Sequence, residues 1–430
     1  MRASGRSAVA FDLGALSPQS ARQGKGGVAA VAPAPRAHPR SLAGATILQL
    51  VPALRDDPAG HAAVDIALTL LQAGARAIVA GDGGPLVGEL RAFGGEWLPM
   101  IDDTVNPLRI RTNAREIARL IAQERVDIVH AQSAGGAWSA LAATDKQPVF
   151  LVTSFPDRLP AHSYFGNVIR SSLTRGDRVI APSSYVSRAM LERYKLPADR
   201  ITVIPRAVDT AKFSPAAVSG DRIAAVRRHW GALPHMRVVL VPGRIAPWNG
   251  QMGVLDAARL LVAAGDRNII FVFAGEDRGQ PRFARSLRNR AHMHGIDTLC
   301  RFVGHCADMP AAHGAADVVV VAPLEPPLAG RAAAEAQAMG RPLVASTVGV
   351  LPENLLCPPR MREELRTGWL ARPGNIGELA RAIGAALALD ATAYEAMGAR
   401  ARQFAEFMFS PHSVAEAIRG VYTSLLARDS

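Results

Sequence analysis

Short apolar runs alternate with helix-length segments along most of this chain, and the whole alternation occurs twice. In the first half the runs 46–51, 75–80, 97–101, 126–130, 149–154, 179–181 and 201–205 read as strands. Between them, 61–73 (with Val64, Leu68 and Leu71 on one face), 113–124 and 186–194 read as helices. The segment 206–221, which carries Pro215, Ser219 and Gly220, reads as a linker. The pattern then restarts. Strands are expected at 238–241, 269–274, 300–303, 318–321 and 343–346, and helices at 252–264, 282–294, 331–339 and 376–389. Two further helices, 394–407 and 413–427, follow. Apolar strands separated by helices belong in parallel sheets covered on both faces. The predicted architecture is therefore α/β: two Rossmann-like, doubly wound parallel-sheet domains facing each other across a cleft. The expected boundaries are a tail at 1–43, a first domain at 44–210 and a linker at 211–222. A second domain follows at 223–410, and a final helix at 411–430 packs back on the first domain.

At 430 residues the chain is long enough for two cores. No apolar stretch approaches the roughly 20 residues of a membrane-spanning helix. Cys300, Cys306 and Cys357 have neither metal-ligand spacing nor the even number of a disulfide framework. That points to a reducing, cytoplasmic compartment and to no bound metal. The net charge of +12 fits an Arg-rich solvated surface, or peripheral contact with the anionic inner face of a membrane. Nucleic acid is set aside, because no recognition module, zinc knuckle or aromatic–basic stacking pattern is present. Residues 1–43 are basic and low in complexity, and Asp12 breaks their one apolar stretch. They read as a disordered tail and not as a secretory signal.

One loop carries chemistry. The run from Ala322 to Gly340 places a Pro/Gly-rich turn between the strand 318–321 and the helix after Gly330. A helix N-terminus at the carboxyl end of a strand offers free N–H groups and a positive dipole, which suit a phosphate. Glu335, a turn into that helix, is placed to meet a ribose hydroxyl. An ordinary strand–loop–helix unit has the same local pattern.

Several segments carry a resemblance. Val241-Pro-Gly-Arg-Ile-Ala-Pro-Trp-Asn-Gly-Gln251 is a strand-to-helix G-R-x-x-x-x-(K)-G loop. Residues 302–312 precede a strand, 325–337 hold an E-x7-E-like element, and Gly349-Val-Leu-Pro-Glu353 is a G-G-x-x-E-like turn. Ile204-Pro-Arg-Ala-Val-Asp209 resembles an interdomain signature. Together these resemble bacterial glycosyltransferase family 4, retaining enzymes of GT-B fold, over about residues 45–425. The resemblance implies a UDP- or GDP-linked sugar as donor substrate, with no separate cofactor. Its donor-binding residues here are Gly243, Arg244, Asn249, Gly330, Arg331 and Glu335. Arg244 and Glu325 fall in catalytic positions: a guanidinium stabilises the leaving diphosphate, and a carboxylate faces the sugar. On the acceptor side the resemblance points to His130, Asp57 and Phe155. His130 also fits a purely structural place at a strand end, and His61 a solvated helix end. Tyr164 and Phe165 fit either an acceptor groove or the core.

Four ligand-facing positions depart from the family's pattern. Asn249 stands where a Lys partners the arginine. Pro327 stands at the first Glu of E-x7-E, with Glu325 two residues early and Ala329 at an aromatic position. The glycine-rich first-domain loop reads Asp57-Pro-Ala-Gly60, and Pro156 takes the place of an acceptor-side His. Two readings follow. One is a transferase that moves a hexose, with retention, from a nucleotide sugar to a glycan or lipid-linked acceptor. The other is a catalytically silent relative acting as a binding or scaffold subunit.

Overall fold

In the computed structural model, residues 41–101, 106–145, 147–155, 171–327 and 330–427 are described. Most of the tail expected at 1–43, together with Pro156, Tyr164, Phe165 and Ala329, lies outside them. The first sheet has seven strands: β1 (Thr46–Ala53), β2 (Arg76–Asp82), β3 (Glu96–Pro99), β4 (Ile128–Ala131), β5 (Phe150–Ser154), β6 (Arg178–Ala181) and β7 (Ile201–Val203). Their order is β3-β2-β1-β4-β5-β6-β7, with every pairing parallel. The second has six: β8 (Arg237–Pro242), β9 (Ile269–Ala274), β10 (Cys300–Gly304), β11 (Val318–Val321), β12 (Leu343–Ser346) and β13 (Gly368–Ala371). Their order is β10-β9-β8-β11-β12-β13, again all parallel. Both are doubly wound, Rossmann-like α/β sheets of the GT-B kind. Each has a core on both faces, which is why its strands are apolar runs without polar alternation.

The order reverses between β1 and β4 in the first sheet, and between β8 and β11 in the second. At such a switch point the two flanking loops leave in opposite directions and open a crevice at the strands' carboxyl ends. Most helices start at a residue that caps them. Asp57, Asn106, Ser133, Ser183, Ser219, Asp308, Asn375, Asp390 and Ser410 each accept a first-turn N–H with their side chain.

Several expectations need correction. Leu42 is buried in the first core, so that domain starts before residue 44. The segment 211–222 is not a loose linker. Phe213 and Val218 are buried against Ala334, Ala338 and Phe409, and a helix, Gly220–His229, begins inside it. On Pro58–Gln72 the buried line is Ala63, Ile66, Ala67 and Leu70 together with Val64, while Leu68 and Leu71 are only half-buried. The helix Ala134–Thr144 escapes the periodicity because it is buried on nearly every side by glycine, alanine and serine. It shows no polar face from which a period could be read.

The chain crosses between the domains near Val208 and again at Ser410, and the Val208 N–H donates to the Phe409 carbonyl at 2.7 Å. The last helix, Pro411–Leu426, lies on Pro58–Gln72 and buries Val414, Ile418, Val421, Tyr422 and Leu425 in the first core. Ile418→Ala is expected to lower the unfolding free energy by about 2–5 kcal/mol through the lost side chain and the cavity left behind. Urea titration reads this directly.

Candidate functional site

Two helices of the second domain break the capping rule in the same way. Gln251–Ala263 starts at Gly250 (φ 72°) and Arg331–Ala338 at Gly330 (φ 59°), and neither has a side-chain cap. These helices follow β8 and β11, the two strands of the switch point. Their first-turn N–H groups and positive dipole ends therefore lie at the switch-point edge without a side-chain cap. Both glycines are required by space as well as by φ. A Cβ on Gly250 would run into the Ala322 carbonyl, and one on Gly330 into the Asn354 amide.

The two loops are tied together. The Leu324 N–H donates to the Trp248 carbonyl at 2.8 Å, which joins the loop after β8 to the loop after β11. Gly243, Arg244 and Asn249 thus stand beside Glu325, Gly330 and Arg331 at one edge. Arg244 and Glu325 are exposed there. The Arg244 guanidinium lies 5.9 Å from the centroid of the Trp248 ring, a cation–π contact. Its carbonyl accepts the Asn249 side-chain amide at 2.6 Å and that of Gln251 at 2.9 Å. The Asn249 side chain therefore braces the loop and carries no charge into the crevice.

Glu335 is less open than its sequence position suggested. It is 6% exposed, takes a 2.7 Å hydrogen bond from Arg331 Nε, and has its Oε2 3.6 Å from Nε2 of the fully buried His313. Burial pushes its carboxyl up, but His313 and Arg331 outweigh that and hold it below the usual carboxylate range. A ligand hydroxyl would reach it by taking the place of Arg331, whose side chain is 58% exposed.

On the first sheet the candidates take separate roles. Asp57 accepts the N–H groups of Ala59 and Gly60 at 3.0 and 2.9 Å. Its Oδ1 is thus committed to the helix it starts. His130 and Phe155 both line a small recess of about 40 Å³ between the strand ends and Pro411–Leu426, with Arg206 and Ile418 on its wall. Phe155 is nonetheless buried, and its carbonyl accepts from Arg206 at 3.0 Å. The His130 ring is bonded at both nitrogens, Nε2 to the Ser154 hydroxyl at 2.7 Å and Nδ1 to the Tyr422 hydroxyl at 2.6 Å. His61, half-exposed, pairs with Asp56 at 2.8 Å.

Residues 59–212 match the family model described as Glycosyltransferase Family 4, and residues 236–388 the one described as Glycosyl transferases group 1. A glycosyltransferase from Rickettsia africae superposes with a TM-score of 0.76 at 25% identity, over 90% of this chain and 99% of that one. The chain belongs to the family 4 glycosyltransferases. Sequence relatives within the family include a D-inositol 3-phosphate glycosyltransferase of Corynebacterium efficiens, 33% identical over 167 residues. Another, from Geodermatophilus obscurus, is 34% identical over 185 residues. The matched parts span only 38% and 40% of those two proteins and 38% and 42% of this chain. HepE of Anabaena, solved in complex with UDP, shares the fold at a TM-score of 0.70 and 21% identity, over 88% of this chain and 100% of that one.

Three residues of this family 4 protein were not singled out from sequence: Trp248, His313 and Tyr422. Trp248 stood inside a quoted motif. His313 and Tyr422 gave no signal, because each acquires its partner from a distant helix or strand. Among the described residues no group of His, Cys, Asp and Glu could hold a metal ion, and no helix is long and apolar enough to cross a membrane.

His130 yields a prediction. Burial, reinforced by the charge of Arg206, pushes its pKa down to about 3 from an ordinary 6.5. The unfolded chain therefore takes up a proton below pH 6.5 that the folded one refuses down to about pH 3. Stability should fall as pH drops through that window, by up to about 1.4 kcal/mol per pH unit from this group. His130→Asn should remove that component of the slope in urea titrations at successive pH values.

Proposed function

We propose that this protein is a retaining glycosyltransferase. It would move a hexose from a UDP- or GDP-linked sugar to a glycan or lipid-linked acceptor. The observation that carries the reading is the pair of glycine-started, uncapped helix N-termini at the β8/β11 switch point, with Arg244 exposed between them. The diphosphate would sit against the N-terminus at Gly330, and the Arg244 guanidinium would leave Trp248 to pair with it. Both place positive charge where the leaving phosphate gains negative charge. Glu335 would accept the ribose hydroxyls, and Glu325 would face the sugar. The acceptor would approach from the first-sheet edge that holds Asp57, His130 and Phe155. UDP bound to a relative of the same fold supports the donor class. The charge of +12 supports peripheral contact with an anionic membrane from the cytoplasmic side.

One observation favours the silent-subunit reading. The Asn249 amide is committed to the Arg244 carbonyl at 2.6 Å, so this loop brings a single guanidinium to the diphosphate. Calorimetric titration with UDP, GDP and their sugars, followed by a hydrolysis assay, separates the two. Binding with turnover supports the transferase, and binding without turnover supports the silent subunit. No binding at millimolar ligand sinks the donor site itself. Where UDP binds, Arg244→Ala should weaken it about 10- to 100-fold, the worth of one hydrogen bond to a charged group.

A further inference from the structure

One turn touches both the donor loop and the other domain. Residues 349–354 follow β12, and on one side they support the loop after β11. The Val350 N–H donates to the Pro327 carbonyl at 3.2 Å, and Asn354 packs against Gly330, where the uncapped helix begins. On the other side Glu353 reaches the first domain. Its Oε2 accepts the Ser184 N–H and its Oε1 the Tyr185 N–H, both at 2.7 Å. Those amides open the helix Ser184–Tyr194, whose own cap, Ser183, satisfies only the Val186 N–H. A carboxylate at a helix N-terminus gains from both the hydrogen bonds and the dipole. Backbone amides hold their position more firmly than a mobile side-chain partner would.

We propose that Glu353 is a positioning residue for the donor loop. By gripping the helix Ser184–Tyr194 across the cleft it fixes turn 349–354, and through Val350 and Asn354 it fixes Pro327 and the helix start at Gly330. The contact makes the shape of the donor edge depend on the separation of the two domains. A sugar nucleotide seated at Gly330 is favoured when the domains are held together, and by linkage its binding favours the held state. This last step rests on the nucleotide-sugar reading given above; the mechanical coupling does not.

The test compares full-length wild type, Glu353→Ala, Glu353→Gln and Ser184→Pro. Proline is accepted at the first position of a helix, so Ser184→Pro deletes one N–H donor from the opposite partner and leaves the turn untouched. Amide hydrogen exchange is followed at 184–186 and, separately, at Ala333 and Ala334, whose N–H groups donate to the Gly330 carbonyl, and at Val350. Calorimetry reads the Kd for UDP. In Glu353→Ala both amide groups should exchange about tenfold faster or more, and the Kd for UDP should rise about tenfold. Glu353→Gln keeps one acceptor oxygen and should recover much of both, and Ser184→Pro should move both in the same direction by less. If Glu353→Ala speeds exchange only at 184–186 and leaves Ala333, Ala334, Val350 and the Kd unchanged, Glu353 is a local helix cap and the proposal is overturned. If wild type binds neither UDP nor GDP, the nucleotide-sugar reading falls, and the exchange at Ala333, Ala334 and Val350 still decides the coupling.

Discussion

Strand polarity is the constraint on which the rest of this molecule depends. In an all-parallel sheet every strand delivers its loop to the same edge, and every following helix begins there with its N–H groups and positive dipole end. Two such sheets give two edges rich in donors, and where each strand order reverses a crevice forms without any special sequence. The residues then decide what each helix start does. On the first domain Asp57 and Ser133 cap their own helix starts, and the start at Ser184 is closed by Ser183 and Glu353 together. On the second, Gly250 and Gly330 leave theirs open. Those two open starts at the switch point are the observation on which the proposed donor site rests.

Contacts of different kinds hold the two edges in relation. Pro411–Leu426 returns to the first domain and buries an apolar stripe there. Within that stripe, Tyr422 bonds to His130, joining a C-terminal helix to the middle of the first sheet. Burial keeps this His neutral, so the contact is a hydrogen-bonded lock and not an ion pair. Glu353, from the second domain, makes a charged contact with backbone amides of the first. An apolar stripe holds over a broad area and tolerates small shifts. Two directed hydrogen bonds to a carboxylate hold over a short range.

Much of the fold was legible, because a strand buried on both faces leaves an apolar run and a helix buried on one leaves a period. Ile269–Ala274, Val318–Val321 and Leu343–Ser346 coincide with their runs to the residue. Elements without those signatures were not legible. Ala134–Thr144 is too thoroughly buried to show a period, and Gly368–Ala371 is a four-residue edge strand with a glycine and a tryptophan. The segment around Phe213 looked like a linker because proline, serine and glycine mark loops. What packs beneath a loop leaves no local mark.

At the candidate site, the sequence by itself determined which residue types stand at the strand-to-helix loops: Arg244, Asn249, Glu325, Gly330 and Glu335. Motif spacing is local, and local geometry carries each residue to the edge. Only the tertiary structure decided what those residues are free to do. Asn249 braces a carbonyl, Glu335 is closed in by Arg331 and His313, and Asp57 is spent on its own helix. It alone placed Glu353 on the amides of Ser184 and Tyr185, more than 160 residues away in the chain. A side chain's availability depends on every neighbour that reaches it, and those neighbours come from strands and helices that only the folded sheets bring together.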